Sequence, residues 1–262
     1  MKISYNWLKD IININSTPSE ISQMLTGCGL EVEHLENYQS IKGGLEGIVI
    51  GLVKEREKHP NADKLSVCKV DIGTGEDKQI VCGAPNVAVG QKVLVATVGA
   101  TLYPSKGEPF KISKSKIRGE VSEGMICAED EIGLGESHDG ILILPENYEI
   151  GKPASAYFKV YNDFVFEIGL TANRGDAASH LGTARDLRAI TKCEVRSVDC
   201  EMPAASSQQP VAVIIEDTEG CKRYTGLSIS NIEVKSSPEW MQNRLKAIGI
   251  NPINNINTNI ST

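Results

Sequence analysis

The stretch from residue 45 to residue 145 constrains the fold most, because it is a succession of short segments with strand-like alternation. These segments are separated by residues that favour turns, such as Pro60 and the two glycines between residues 71 and 77. The predicted strands cover residues 48–58, 65–72, 79–82, 93–98, 110–117, 124–127 and 140–144. About seven short strands predict a Greek-key barrel of the OB type; a β-sandwich with a similar number of strands is the alternative.

The segments on both sides of this stretch mix strands and helices. Before it, we predict a strand at 1–5, a helix at 6–12, a helix that Thr17 caps, and a strand at 31–35. After it, the pattern predicts helices at residues 154–158 and 176–190 and strands at residues 164–170 and 195–198. Because the two flanks share this pattern, they are expected to pack into one domain that hosts the barrel as an insertion.

The predicted fold class is therefore mixed α+β, in three parts. Residues 1–40 and 152–200 form a split N-terminal α/β domain, and residues 41–151 form the inserted OB-fold barrel. Residues 202–210 have the composition of a linker, and residues 211–262 are interpreted as the truncated beginning of a further α/β domain. This last part is predicted to hold strands at 211–215 and 224–232, then a helix that Ser237 caps, with Pro238 in its first position and Gly249 past its end.

Composition limits the function classes. The 262 residues carry a net charge of −7, so a nucleic-acid role must rest on a local basic surface rather than on bulk attraction. The seven cysteines include no C-x-x-C pair, which indicates buried thiols in a reducing cytosol rather than a zinc site or disulfides. No signal peptide or long apolar run is present, so a cytoplasmic location without membrane contact is expected.

The best candidate site is a basic run beside the barrel. Its cations, opposed only by Glu108, are Lys106, Lys111, Lys114, Lys116 and Arg118. In an OB barrel, the loop between strands 4 and 5 lies beside the usual ligand face, and Asn61 and Lys64 are expected near the same face. A solvated loop without a ligand is the alternative. No catalytic constellation and no metal site is predicted, since the four histidines are scattered.

Three local signatures mark the barrel. They are His59-Pro60-Asn61-Ala62-Asp63-Lys64-Leu65, Cys82-Gly83-Ala84-Pro85-Asn86, and Lys116-Ile117-Arg118-Gly119-Glu120-Val121-Ser122-Glu123-Gly124-Met125. Their order and spacing resemble the tRNA-binding OB domain of synthetase-associated proteins. Motifs in the flanks, including Leu170-Thr171-Ala172-Asn173-Arg174-Gly175-Asp176, Arg223-Tyr224-Thr225-Gly226 and Pro252-Ile253-Asn254-Asn255, resemble the β subunit family of bacterial phenylalanyl-tRNA synthetases (phenylalanine–tRNA ligases).

The resemblance implies an N-terminal part of a ligase β subunit. In that family the barrel lies within a split first domain, and a B3/B4 editing domain begins at the part covered here by residues 211–262. The implied partners are phenylalanine-specific tRNA and the α subunit of an α2β2 heterotetramer, with no DNA. ATP and magnesium are implied for the complete enzyme and no cofactor for this fragment, which is expected to be non-catalytic.

Two other functions compete with this one. The first is a free-standing OB-fold protein that binds tRNA or acts as a chaperone, and the second is an OB module for another polymer such as an oligosaccharide. The split flanking domain and the linker argue against a free-standing protein. On the leading interpretation, tRNA is bound by Asn61, Lys64, Lys111, Lys114, Lys116 and Arg118.

Overall fold

The computed structural model describes residues 1–105, 107–135, 137–196, 212–226 and 228–256. Its α-helices are α1 (Tyr5–Ile11), α2 (Pro18–Gly27), α3 (His180–Thr191) and α4 (Glu239–Ala247). Its strands are β1 (Lys2–Ser4), β2 (Glu31–Gln39), β3 (Ile48–Lys58), β4 (Ser66–Asp71), β5 (Lys78–Cys82), β6 (Lys92–Thr97), β7 (Thr101–Leu102), β8 (Phe110–Lys111), β9 (Ser115–Ile117), β10 (Glu120–Ser122), β11 (Gly124–Ile126), β12 (Ile143–Leu144) and β13 (Asn162–Gly169). None of the helices in these ranges has the length and apolar character needed to cross a bilayer.

The chain divides into two compact units. One unit combines Met1–Leu35 with Val165–Thr262, and the other is Glu36–Phe164. The first contains a three-stranded sheet in the order β1-β13-β2, with β1 antiparallel to β13. Apolar residues of α1, α2, α3 and this sheet share one core, formed by Ile3, Leu8, Ile12, Ile14, Ile21, Leu25, Leu30, Phe166, Ile168, Ala177, Ala184 and Leu187.

Helix α2 begins where its capping sequence predicts. The Thr17 hydroxyl accepts a hydrogen bond from the Glu20 amide at 3.3 Å, and the Glu20 carboxylate accepts from the Thr17 amide at 2.7 Å. Helix α3, in contrast, begins later than the predicted residue 176. A 3₁₀ turn spans Gly175–Ala177, and the Ser179 hydroxyl then accepts from the Gly182 amide at 3.0 Å. Serine at an N-cap position fixes the start of a helix because it satisfies an otherwise unpaired amide.

The tail does not form the strands predicted at residues 211–215 and 224–232; of these residues, 211 and 227 lie outside the described ranges. Ile214 is 81% exposed and Ile229 is 68% exposed, so these segments bury little apolar surface. A strand needs a paired neighbour and a covered face to persist, and alternation alone cannot supply either. Helix α4 does form, but Pro238 is its N-cap and no side chain caps it.

The second unit is a nearly closed antiparallel barrel. Its main sheet has the order β11-β6-β3-β4-β5, and β12 also pairs with β6. The Glu123 amide, next to β11, donates to the Gln79 carbonyl of β5 at 2.8 Å, which brings the two ends of the sheet together. A single curled sheet of this kind agrees with the OB-type barrel rather than with a sandwich of two sheets.

Two interior clusters fill the barrel unit. One lies among β3, β6 and the segments after them, and includes Ile48, Ile50, Leu94 and Leu102. The other lies among β3, β4, β5 and β6, and includes Cys68 and Cys82. The described cysteines are free thiols, and burial raises the pKa of Cys68 to about 11. Such thiols stay protonated at neutral pH and pack as small apolar groups.

The strand predicted at residues 110–117 is two separate strands. Strand β8 pairs with β7 and strand β9 pairs with β10, and neither β7 nor β10 was predicted. The break covers residues 112–114, and Ile112 within it is only 7% exposed. The Ile112 amide donates to the Ala100 carbonyl at 2.8 Å. The apolar–polar alternation of Phe110 to Ser113 ends there, because Lys114 stands where the next apolar residue would be, and the partner strand changes at the same place.

Other strand boundaries differ by less. The segment predicted at residues 140–144 forms only the two-residue strand β12, and the helix predicted at residues 154–158 is a 3₁₀ turn at Ala154–Ala156. At residue 195 an isolated bridge joins Val195 to Ile12; residues 197 and 198 of that predicted strand lie outside the described ranges.

Candidate nucleic-acid interface

The β9–β10 hairpin carries the centre of the predicted basic site. The two strands pair antiparallel, with Ile117 opposite Glu120. Arg118 and Gly119 form the connection, at φ values of 50° and 104°. Positive φ at both central residues is the mark of the type I′ turns that suit two-residue hairpins. Glycine adopts this conformation freely, whereas an ordinary residue such as Arg118 loses about 1–2 kcal/mol in it.

A loop that is remote in sequence holds this turn. The Asn61 side-chain amide donates to the Arg118 carbonyl at 3.1 Å, and His59 Nε2 lies 3.0 Å from the Ile117 carbonyl. The Asn61 backbone amide donates to His59 Nδ1 at 3.0 Å. Because Nδ1 accepts, the proton of the neutral ring is on Nε2, and Nε2–H donates to Ile117. The first and third signatures therefore meet at the hairpin tip.

The other side of the hairpin is attached to the barrel. The Gln79 side-chain amide donates to the Val121 carbonyl at 3.0 Å. The buried Ser122 hydroxyl accepts from the Val81 amide at 3.1 Å and donates to the Gly124 carbonyl at 2.9 Å. The hairpin is thus fixed at its base by β5 and at its tip by the loop that contains Asn61.

Those predicted cations that the structure describes are exposed but do not form one continuous run. Lys111 lies on β8 opposite Thr101, in a different two-stranded sheet from Lys116 and Arg118. Lys114 forms an ion pair with Glu123 at 2.6 Å, and this ammonium lowers the pKa of the Glu123 carboxyl. Lys106 lies outside the described residues.

The cations of the hairpin itself are less neutralised. Lys116 and Arg118 are exposed and make no ion pair with a carboxylate in the described part of the chain. The hairpin tip is consequently the most concentrated positive charge of the candidate site, whereas the charge of Lys114 is already compensated.

Lys64 lies in a neighbouring groove. This groove has a volume of about 620 Å³ and brings the first signature against the second, with Lys64 and Leu65 facing Gly83, Ala84 and Pro85. Arg56 also lines the groove, and its Nε donates to the Ser66 hydroxyl at 3.1 Å. Arg56 was missed as a candidate, although its place in the charged end of the first predicted strand is visible in the sequence.

The acidic stretch at residues 129–131 is engaged internally. Asp130 lies 3.0 Å from His138 Nδ1, and the Glu131 carboxylate accepts from the Ala128 amide at 2.7 Å. Burial raises the pKa of Glu131. Among the described residues, no group of His, Cys, Asp and Glu side chains has the arrangement of a metal site.

Family models match two regions of the chain. The model described as "Putative tRNA binding domain" matches residues 48–153, which contain the barrel, the hairpin and all three signatures. The model of the B3/4 domain matches residues 220–259. Among solved structures, the C-terminal domain of Plasmodium vivax p43 is 24% identical, covering 40% of this chain and 56% of its own, with a TM-score of 0.28.

Curated relatives match nearly the whole chain. The phenylalanine–tRNA ligase β subunit of Bacteroides fragilis is 50% identical over 98% of this chain, and that of Bacillus subtilis is 45% identical over 98%. The β subunit of Porphyromonas gingivalis is 49% identical over the same share. The chain spans about a third of the length of these relatives, 32% in each of the three. The resemblance inferred from the motifs is thereby confirmed: over 98% of its length, the chain is related to the phenylalanine–tRNA ligase β-subunit family.

Proposed function

We propose that this chain contributes tRNA binding and subunit architecture to a phenylalanine–tRNA ligase, which attaches phenylalanine to its tRNA in an ATP-dependent reaction. The observation that carries the proposal is the tRNA-binding family match at residues 48–153, which include the basic hairpin. The names of the relatives favour a ligase subunit over a free-standing tRNA-binding or chaperone-like protein.

The domain arrangement forms part of the proposal. Residues 1–40 and 152–200 act as one split α/β domain, into which an OB-fold barrel at 41–151 is inserted. Support comes from the compact unit that combines Met1–Leu35 with the chain after Val165. Residues 211–262 contribute to a B3/B4 domain, which the family match at 220–259 supports.

The remaining chemistry belongs to the complete enzyme. We assign ATP, magnesium and the aminoacylation step to it, because the sequence of this chain offers no catalytic constellation. The proposed assembly is an α2β2 heterotetramer in the cytoplasm. Neither a membrane nor DNA is a proposed partner.

The proposed contact with tRNA is electrostatic. Lys116 and Arg118 at the hairpin tip neutralise phosphates, with Lys111, Lys114 and Lys64 at its margins. Lysine and arginine bind phosphates independently of base sequence, and each neutralised phosphate releases counterions. Since the chain as a whole carries a charge of −7, the interaction must be local, weak and sensitive to salt.

A tRNA titration at two salt concentrations tests this function. The variant replaces Lys114, Lys116 and Arg118 by alanine, and all three side chains are exposed. We expect weaker binding and a log–log salt slope that is smaller by about 0.7–0.9 for each phosphate that the variant no longer neutralises.

A matched control removes the same amount of charge elsewhere on the barrel unit. Lys42, Lys152 and Lys159 are also exposed, and Lys152 is paired with Glu149 as Lys114 is with Glu123. The control variant should keep both the affinity and the slope closer to wild type. Superimposable curves for the hairpin variant and the wild type would exclude the hairpin from tRNA binding.

A further inference from the structure

We propose that Asn61 and His59 are positioning residues that preset the Arg118 turn for phosphate binding, rather than groups that contact RNA. This inference rests on the proposed tRNA-binding function and adds a division of labour within the site. Asn61 and Lys64 belong to the same signature, yet the structure gives them different surroundings. Asn61 is hydrogen-bonded to the hairpin turn, whereas Lys64 lines the neighbouring groove.

The turn is in a backbone conformation that Arg118 does not favour by itself. Its φ of 50° lies in the left-handed region, and Gly119 follows at 104°. Residues held in sparsely populated backbone regions persist where surrounding structure over-determines them, and they concentrate at functional sites. An Asn-Gly pair would form the same turn with less strain, so an arginine here places a cation at the tip at the expense of local preference.

The loop that contains Asn61 supplies the outside support. Two hydrogen bonds run from this loop to successive carbonyls, from Asn61 to Arg118 at 3.1 Å and from His59 to Ile117 at 3.0 Å. The loop is itself closed, because the His59 amide donates to the Leu65 carbonyl at 3.0 Å. His59 is only 3% exposed, so its ring is buried in the loop and binds neighbouring backbone groups rather than solvent.

The hydrogen bond from Asn61 to the Arg118 carbonyl suggests an indirect role for Asn61 in RNA binding. Its side-chain amide donates one of its two N–H groups to the Arg118 carbonyl, and the proposal is that its effect on RNA passes through the arginine. A cation on a preset turn binds without first ordering its backbone, and this ordering otherwise reduces affinity. Removal of Asn61 should therefore weaken binding only as long as Arg118 is present to be positioned.

A double-mutant cycle in the full 262-residue chain tests this dependence. Titrations with phenylalanine-specific tRNA at two salt concentrations compare the wild type with Asn61→Ala, Arg118→Ala and the double variant. We expect Asn61→Ala to weaken binding about three- to tenfold in the wild type and by less than about twofold in the Arg118→Ala background. It should also lower the salt slope, although asparagine carries no charge.

A second variant covers the case in which Asn61→Ala loses its fold. Gly119→Ala leaves both side chains in place but puts a Cβ at φ 104°, 3.5 Å from the Asn61 side-chain nitrogen. It should reproduce the loss of affinity, again only when Arg118 is present. Circular dichroism and the melting temperature establish which variants remain folded.

Three results would overturn the proposal. An equal loss from Asn61→Ala in both backgrounds would make Asn61 a direct RNA contact. Wild-type affinity in Asn61→Ala and Gly119→Ala, with weaker binding in Arg118→Ala, would remove the positioning role and leave the tRNA-binding hairpin intact. Unchanged affinity in Arg118→Ala would remove both the hairpin contact and the positioning role.

Discussion

His180 is a buried histidine that serves the fold. Its Nε2 accepts a hydrogen bond from the Ser4 amide at 2.9 Å, and its ring stacks on Trp7 at a centroid distance of 4.1 Å. Burial, with a smaller contribution from Arg244, lowers the pKa of His180 to about 4. The neutral ring thus joins β1, α1 and α3.

Stability should therefore depend on pH through His180. Its folded pKa of about 4 lies below the ordinary value of 6.5, so the unfolded chain binds the proton more readily between these values. The contribution of the neutral His180 ring to the free energy of unfolding is fully present above pH 6.5. It is lost as the pH falls toward 4, by up to about 3 kcal/mol. Urea unfolding at pH 7.5 and pH 5 measures it, with His180→Gln as the comparison. A pH dependence of equal size in the variant would contradict this assignment.

At the scale of elements, the hairpin depends on its attachment to β5. Ser122 is 2% exposed, and its hydroxyl accepts from the Val81 amide. In Ser122→Ala that buried amide loses its partner, which should destabilise the chain by about 1–3 kcal/mol.

Ser115 provides the control for this prediction. It lies opposite Ser122 in the register of the hairpin and is exposed, so Ser115→Ala should change the free energy of unfolding by less than about 0.5 kcal/mol. Urea denaturation of both variants gives the comparison. Equal effects of the two substitutions would show that the hydrogen bond to Val81 does not anchor the hairpin.

The same scale shows how much the sequence can predict. Strands β3 to β6 form close to where the sequence predicts them. Strand β6 is buried on both faces, with Val93 and Val95 in one cluster and Leu94 and Ala96 in the other, as a continuous apolar run indicates. The β9–β10 hairpin was not predicted, since its turn uses Arg118 where the rule expects Asn, and the strand partners of β8 and β9 are set by distant residues. Alternation reports the period of a strand and not its neighbour, so the contact of Asn61 with Arg118 could not be inferred either.

At the scale of the whole molecule, the net charge must be reconciled with the similarity to subunits of a tRNA ligase. A net charge of −7 repels a polyanion at long range, whereas relatives of the chain are subunits of an enzyme that acts on tRNA. The proposed basic turn would reconcile the two, because salt screens the long-range repulsion more strongly than the short-range contact. The proposed contact with tRNA is therefore at the tip of one hairpin.

Site-specific photocrosslinking measures where the tRNA lies on the barrel unit. A photoreactive p-benzoylphenylalanine replaces Lys116 in one protein and Lys159, an exposed lysine of the same unit, in a second protein. Each is irradiated with labelled phenylalanine-specific tRNA at low salt. We predict covalent tRNA from position 116, suppressed by added salt, and little from position 159. Crosslinking from position 159 alone, or equal crosslinking from both, would contradict a contact at the hairpin tip.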